Sequence, residues 1–295
     1  MNSVFDEYKT LWPESSRAGM EQLLSKIMVM HYPRDKAVVG QVDPRPVVVV
    51  TEKNLYDGNI PLIEAGFEHL VQSGREDFAA ELLASSLMAL RPDAFMKNPM
   101  TFFFNGFQST KGAAEAGRHV NFSFLSSAEK SPILGKLEDF LAQNPQMSSI
   151  TDICLQTADE MISNAIYHAP IKASGTRPNA DASRDADVVI PNGKAANLFA
   201  CFSDQRVIIG CQDQFGSLER SAFMLHLRSI FKDQATTMRT RGESAGIGFK
   251  YMIENAANVY VLVTKKEQTL IACGFLLKGL KANTSAAKHL HFSFR

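Results

Sequence analysis

The sequence predicts an α+β protein, with a C-terminal two-layer α/β sandwich whose mixed sheet is covered by helices, preceded by a small α/β domain. Apolar, β-branched runs such as 47–51 and 207–211 alternate with amphipathic segments of helical period. A Gly/Ala-rich stretch at 111–117 separates two groups of such segments. We therefore place the small α/β domain and its connector at 1–116, and the sandwich at 117–295.

The N-terminal domain begins with an amphipathic helix, because Leu23, Leu24, Ile27 and Met28 fall at helical spacing. Pro92 ends the last helix of the domain. The elements expected between them are a buried strand at 47–51, a short helix near 61–65, a strand at 67–71 and a helix at 76–90.

The C-terminal domain is expected to alternate strands with two long helices and to end in a hairpin. The expected elements are a strand at 120–125, helices at 128–143 and 150–168, antiparallel strands at 199–202 and 207–211, a helix from 249, hairpin strands at 259–264 and 269–277, and an edge strand at 289–294.

Composition argues against several classes of function, although a net charge of zero still allows a local basic patch. The net charge is zero, whereas proteins that bind nucleic acid or anionic membranes nonspecifically usually carry a basic excess. No apolar run approaches the roughly 20 residues of a membrane span, and the mixed polar N-terminus does not read as a secretory signal. Four dispersed cysteines without a CxxC pair indicate buried, reduced thiols. We expect a cytoplasmic protein with no nucleic-acid or membrane partner.

A polar stripe runs along the helix expected at 150–168, because its polar residues recur every fourth position. Asn164 offers an amide oxygen, a hard ligand that suits Mg²⁺ held mainly by phosphate oxygens and water. Glu160, one turn earlier, can accept a proton from an attacking hydroxyl or water. The stripe consists of Asp152, Gln156, Glu160, Asn164 and His168.

Two further motifs follow along the chain. Asp213 stands directly after an expected strand, and Gly216 lies three residues later. The segment 242–248 carries three glycines before an expected helix, where backbone N–H groups can bind phosphate without side chains. The stretch 232–245, rich in Thr, Arg and Gly, is the expected mobile lid.

The segments 159–164, 213–216 and 242–248 resemble, in this order, the N, G1 and G2 boxes of the GHKL (Bergerat-fold) ATPase superfamily. The chain is most similar to the histidine-kinase-like ATPase domains of anti-sigma-factor serine kinases, whose Asn-Ala-x-x-His-Ala stretch resembles 164–169. The resemblance departs in the G1 box, where the family has Asp-x-Gly-x-Gly and this chain has Phe215 and Ser217 at the glycine positions.

The resemblance implies Mg-ATP as the cofactor and assigns a role to each matched residue. Glu160 is the base, Asn164 the Mg²⁺ ligand, and Asp213 the acceptor for the adenine amino group. Gly216 lets the backbone approach the base, and His168 either contacts phosphate or ends the helix. The phosphate loop consists of Gly242, Gly246, Ile247 and Gly248.

The N-terminal domain resembles the C-terminal half of a response-regulator receiver domain, through the segments 64–71 and 78–83. Gln72 and Ser73 replace the Lys-Pro pair of a receiver, and no acidic pocket to hold Mg²⁺ and a phosphoryl group is recognisable. We interpret it as a degenerate, non-phosphorylatable interaction domain. An unrelated small α/β domain is the alternative.

These features predict a signalling regulator that binds Mg-ATP and phosphorylates or sequesters a regulatory protein partner, in the manner of an anti-sigma-factor serine/threonine kinase. The alternative is a non-catalytic, nucleotide-binding or nucleotide-free interaction module of a two-component-like pathway, so enzymatic activity stays open. A histidine kinase fits less well, because the only acceptor candidate, His119, begins a strand-like segment. Whether the protein forms a homodimer is left open.

Overall fold

The structure, a computed structural model, describes residues 14, 17–32, 45–52, 59–100, 103, 119–172, 174–183, 186–202, 205–232, 244–285 and 287–295. In chain order the helices and strands are α1 Arg17–Leu24, β1 Met28–Tyr32, β2 Val47–Thr51, α2 Ile60–Glu64, β3 His69–Gln72, α3 Phe78–Leu90, α4 Pro92–Lys97, β4 His119–Phe124, α5 Lys130–Ala142, α6 Thr151–Ser163, β5 Ala196–Phe202, β6 Arg206–Asp213, α7 Arg220–Lys232, α8 Ser244–Asn255, β7 Asn258–Thr264, β8 Gln268–Leu276, α9 Leu280–Asn283 and β9 His289–Phe294.

The chain folds as two units. The N-terminal unit comprises 1–111 together with 286–292, and the C-terminal unit comprises 112–285 together with 293–295. The boundary expected from sequence, between 116 and 117, lies outside the described residues. The sequence did not indicate that 286–292 returns to the N-terminal unit.

Parallel strands form most of the sheet of the N-terminal unit. β1 pairs with β2, and β2 with β3, both in parallel, while β9 lies antiparallel to β3. The buried strand β2 is present as expected, because its valines pack into an apolar core with Leu24, Phe78 and Leu82. The parallel pairing agrees with the α/β class expected for this unit, and α2 lies between β2 and β3 along the chain.

Two elements of this unit differ from the sequence prediction. The helix α4 lies where a connector was expected after Pro92. The first helix ends at Leu24, and Met28 begins the strand β1 instead of continuing the helix. The helical spacing of Ile27 and Met28 is coincidental, because Met28 pairs with Val47 of β2. Strand pairing with a distant segment outweighs local periodicity here.

The C-terminal unit contains an antiparallel sheet in the order β4-β5-β6-β8-β7. The strands predicted in this region are therefore present, and β6 extends through Asp213. Helix α6 packs on β5, β6 and β8 and also against α5. Its apolar face consists of buried Cys154, Ala158, Met161 and Ile162. Both units combine helices with strands, so the mixed α/β class is confirmed.

Several helical segments differ from expectation, among them the short helix α9, which was not predicted. The long helix expected at 150–168 is α-helical only to Ser163, and Asn164–His168 forms a π-helical turn. The helix expected from 249 begins five residues earlier, at Ser244. Helix α7 was not predicted, although Phe223 and Leu227 are buried one turn apart on it.

The four cysteines are buried and unbridged, as the sequence indicated. Burial raises the pKa of the Cys201 thiol to about 12. Within the ranges that the structure describes, no helix is both long and apolar enough to cross a membrane.

Candidate functional site

A cavity of about 350 Å³ lies in the C-terminal unit, within the size range of small-molecule sites. Its polar lining residues are Asn164, His168, Arg177, Asp213, Ser217, His226 and Thr269. Its apolar lining residues are Met161, Ala165, Ala169, Cys211, Leu218, Ala222, Phe249 and Ile271. The cavity thus brings together Asn164 and His168 of the first motif and Asp213 of the second.

Asp213 is the last residue of β6 and is only 8% exposed. Burial raises the pKa of its carboxyl group to about 6, since few water molecules can solvate the charge. Backbone N–H groups oppose this rise, and that of Phe215 donates a hydrogen bond of 2.8 Å to Oδ1. The carboxyl group is therefore held in place by the protein and is ionised at neutral pH.

Thr269 lies opposite Asp213 in the β6–β8 pairing and was not predicted from the sequence. Its hydroxyl lowers the pKa of Asp213, yet forms no hydrogen bond of ordinary geometry with the described residues. Thr269 is 4% exposed and lines the cavity, so its hydroxyl lies beside the Asp213 carboxyl group on the cavity wall. Only the strand register could have revealed the pair, because the two residues are far apart in sequence.

The π-helical turn carries Asn164 and His168 to the cavity wall. The backbone N–H of Ala169 donates to the carbonyl of Asn164 at 2.8 Å, which closes the wider turn. Turns of this kind occur frequently at functional sites. Both side chains are half-buried, whereas Asp152 and Gln156 at the start of the stripe are exposed. The stripe therefore splits into a solvated part and a part that faces the cavity.

Glu160 is half-buried, but it is not among the described residues that line the cavity. Its side chain lies against Gly248 of α8, where a Cβ atom would collide with the Glu160 carboxylate. The neighbouring Asp159 is paired with Lys130, with 2.7 Å between Oδ1 and Nζ. The glycine at 248 therefore makes room for a carboxylate, and the first and third motifs meet at this contact.

The remaining residues of the third motif are only partly described. Gly246 and Ile247 lie in the first turn of α8 and Gly248 begins the second, so these residues belong to the helix and do not precede it. Gly242 and most of the lid expected at 232–245 lie outside the described residues.

Gly216 has a left-handed φ of 55°. A Cβ atom there would collide with the carbonyl of Thr264 and would lie 2.8 Å from the backbone nitrogens of Lys266 and Glu267. The Lys266 N–H also donates to the Gly216 carbonyl at 3.1 Å. The structure thus gives a reason for this glycine that the sequence did not indicate, namely close contact with the β7–β8 turn.

Arg177 is a cation on the cavity wall that the sequence did not single out. Its guanidinium donates to the backbone carbonyl of His168 and, at 3.4 Å, to that of Ser217. It therefore connects the π-helical turn to the segment after β6. The surrounding stretch lacks periodicity and motif, so no sequence signal pointed to it.

His119 is the first residue of β4 and pairs with Cys201 of β5, which agrees with the strand expected there. A phosphoacceptor histidine of a histidine kinase is carried by a helix, so its position in a sheet differs from that arrangement.

No protein-family model matches the chain, and the comparison with curated proteins gives no significant match. Across the described ranges, no three His, Cys, Asp or Glu side chains are grouped as metal ligands. Function is therefore inferred from the geometry of the cavity.

Proposed function

We propose that the C-terminal unit is a Bergerat-type ATP-binding domain, built as a two-layer α/β sandwich, in a cytosolic signalling regulator. The observation that carries this proposal is the convergence of Asn164, His168 and Asp213 on one cavity of suitable size. Three motifs in the order of the N, G1 and G2 boxes add support, since Glu160 of the first contacts Gly248 of the third.

The Asp213–Thr269 pair has the chemistry to select adenine. The Watson–Crick edge of adenine presents an amino donor beside the N1 acceptor, and a carboxylate with a neighbouring hydroxyl complements both groups. Guanine presents a carbonyl oxygen at the position of the amino group, which a carboxylate repels. The apolar side chains around the pair, including Ile271 and Met161, provide a surface for the flat base.

Asn164 fits the role of Mg²⁺ ligand, because its side chain lies on the cavity wall and a bound nucleotide would supply the remaining oxygens. The ion would neutralise charge on the phosphates and orient them. Arg177 and His168, at the same wall, add groups that can interact with phosphate oxygens. No dedicated cluster of protein carboxylates is required for such a site.

We further propose that the domain acts on a regulatory protein partner, either by transferring a phosphoryl group to a serine or threonine or by sequestering it. In the transfer, the hydroxyl oxygen of the partner bonds to the γ-phosphorus, the bond to the ADP oxygen breaks, and the hydroxyl proton passes to Glu160. The N-terminal unit would serve as a degenerate receiver-like interaction domain.

A non-catalytic nucleotide-binding module is the second candidate, and one observation favours it. Glu160 lies against Gly248, and it is not among the described residues lining the cavity. A base in this position must move to reach an attacking hydroxyl, whereas nucleotide binding and sequestration require no base.

Isothermal calorimetry with Mg-ATP, Mg-GTP and metal-free ATP tests the binding proposal. We expect wild type to bind Mg-ATP in preference to Mg-GTP, and Asn164→Ala to lose the Mg²⁺-dependent part of the affinity. Gln156→Ala is the matched control, because Gln156 lies on the same stripe but is exposed and outside the cavity lining. A folded wild type that binds no ATP would refute the proposal.

Phosphate release and transfer to candidate partners separate the two candidate functions. Glu160→Gln keeps the shape of the side chain, so ATP should still bind while turnover falls about 10²–10⁴-fold. Asp152→Asn, an exposed change on the same helix, should leave turnover unaltered. If wild type binds ATP without turnover and Glu160→Gln changes nothing, the non-catalytic module is the correct function.

A further inference from the structure

A second cavity in the C-terminal unit, of about 860 Å³, concentrates positive charge. Among the described residues that line it, six are cationic and only Glu219 is acidic, although the net charge of the chain is zero. We call this cavity the basic groove. Its cationic residues are Lys172, Lys194, Arg220, Lys265, Lys266 and Arg295.

Backbone hydrogen bonds hold the segments of the basic groove together. Lys266 donates to the carbonyl of Gly216 at 3.1 Å, and Lys265 to that of Arg295 at 2.8 Å. Arg295 in turn donates to Val263 at 2.9 Å. The turn between β7 and β8, the loop after β6 and the C-terminal residues are thereby fixed together. The positive charges therefore line a concave surface whose backbone is fixed by hydrogen bonds, and they are not independent lysines on an open surface.

The floor of the basic groove is apolar and aromatic. Phe215 is buried, Phe294 is half-buried, and Leu218 also contributes to the lining. Lys194 holds its Nζ 5.1 Å from the centre of the Phe215 ring and donates to the carbonyl of Gln214 at 2.9 Å. An apolar floor with a cationic rim suits a ligand that combines carboxylates with apolar side chains.

We propose that the basic groove binds an extended acidic segment of a protein partner. Charge complementarity favours such a segment and speeds its association. Single-stranded nucleic acid fits less well, since it needs exposed aromatic rings for base stacking and the two rings here are buried or half-buried. The volume of the groove accommodates several side chains of a peptide.

The position of the groove connects it to the ATP cavity. Ser217 and Leu218 line both cavities, so a segment bound in the groove lies beside the nucleotide site. The claim that this bound segment belongs to the protein that the domain acts on rests on the proposed function. The binding of an acidic segment to the groove does not.

The test uses the full chain and a fluorescein-labelled peptide, Glu-Glu-Leu-Glu-Glu-Phe-Glu-Glu, with fluorescence anisotropy as the readout. The same peptide with glutamine at every acidic position measures the contribution of charge. An eight-nucleotide thymidine strand measures binding to nucleic acid. We expect the acidic peptide to bind, with an affinity that falls as salt rises, and the glutamine peptide to bind at least about tenfold more weakly.

Charge reversal at the rim locates the binding. Arg220→Glu combined with Lys265→Glu should weaken acidic-peptide binding about tenfold or more. Both side chains are exposed, and a glutamate at the first turn of α7 suits the helix dipole, so the variant should fold. The control, Lys136→Glu with Lys281→Glu, changes charge equally at exposed positions outside the groove and should alter the affinity less than about twofold.

Four results would overturn the proposal: no peptide binding, equal loss in both double variants, tighter binding of the thymidine strand, or displacement of the peptide by ATP. The last would make the groove part of the nucleotide site. Peptide binding by a protein that binds no ATP would refute the proposed function and leave the groove proposal intact.

Discussion

Burial makes the ionised form of Asp213 less favourable, and this affects how its carboxylate can bind a ligand. Its carboxyl group has a pKa of about 6 because burial outweighs the surrounding hydrogen-bond donors. A ligand donor directed at the carboxylate would favour the charged form and lower this pKa in the complex. Binding of such a ligand is therefore coupled to loss of a proton.

The proposed binding of ATP should depend on pH because of this coupling. Below pH 6 the unliganded carboxyl group is protonated, so affinity should fall as pH drops through 6, by up to about tenfold per unit. Asp213→Asn should weaken binding at pH 7.5 by about 1.5–3 kcal/mol, the size of one charge-assisted hydrogen bond. Calorimetry at pH 7.5 and 5.5 on both proteins measures this.

ATP itself also titrates in this pH range, and this changes its affinity for both proteins equally. The Asp213→Asn variant therefore serves as the control for the titration of ATP. The difference in affinity between wild type and Asp213→Asn should shrink at pH 5.5. Equal affinities at pH 7.5, with both proteins folded by circular dichroism, would remove Asp213 from the site.

The residues predicted from the sequence that line the cavity each carry a local sequence signal. Asp213 follows a β-branched run, and Asn164 and His168 continue a four-residue period, and all three line the cavity. Thr269 and Arg177 carry no such signal, since strand register and loop conformation bring them to the wall. Contacts between segments that are distant in sequence leave no local pattern, so a single sequence does not reveal them.

At the scale of elements, period and propensity predicted strands better than helix ends. Each strand predicted between 117 and 295 is present. The strand at 289–294, expected at the edge of the C-terminal domain, instead pairs with β3 and belongs to the N-terminal unit up to Phe292. The period also predicted a continuous helix at 150–168, but a π-helical turn needs only one wider hydrogen bond, which does not alter the apolar pattern before it. The start of α8 was missed because the glycines of its first two turns resemble a loop.

β9 is attached to the N-terminal unit by buried polar side chains as well as by β3. His289 accepts the backbone N–H of Gln72 at Nδ1 (3.0 Å), and its Nε2 lies 3.1 Å from Asp77. Burial alone would raise the pKa of Asp77, but His289 and the guanidinium of Arg75 hold it well below its usual range. Because Nδ1 accepts a hydrogen bond from Gln72, the proton of a neutral His289 imidazole must lie on Nε2.

Acidification should therefore loosen β9. Burial lowers the pKa of His289. The charges of Asp77 and Glu81 oppose this shift, and the charge of Arg75 adds to it. Below pH 6.5 the unfolded chain takes up a proton that the folded chain does not, so stability falls with pH by up to about 1.4 kcal/mol per unit. Hydrogen exchange of the amides of β9 from pH 7.5 to 5.5, corrected for intrinsic rates, measures this loss.

His289→Gln removes the titrating group. In this variant the β9 amides should be less protected from exchange at pH 7.5, but their protection should change less with pH. His119→Gln is the matched control, because His119 is exposed and lies in β4 of the C-terminal unit. An unchanged pH dependence in His289→Gln would show that another group controls the stability of this strand.

At the scale of the whole molecule, the two units differ in the chemistry they can support. The cavity and the basic groove both lie in the C-terminal unit. In the N-terminal unit, the polar side chains of Asp77, Arg75 and His289 are engaged with one another. Under the proposed function, phosphoryl chemistry would therefore belong to the C-terminal unit.

The N-terminal unit should consequently resist phosphorylation by a small phosphodonor. Gln72 stands at the end of β3, where a receiver has its lysine, and its backbone N–H is occupied by His289. Asp77 is buried and paired with Arg75 at 2.9 Å, so it is a poor nucleophile. Incubation with acetyl phosphate and Mg²⁺ should add no phosphoryl group to residues 1–116, as measured by intact-protein mass spectrometry, with a functional receiver domain as the positive control in the same tube. A mass increase of one phosphoryl group that maps to an aspartate in 1–116, and that is lost on mild hydrolysis, would show instead that this unit receives a signal by phosphorylation.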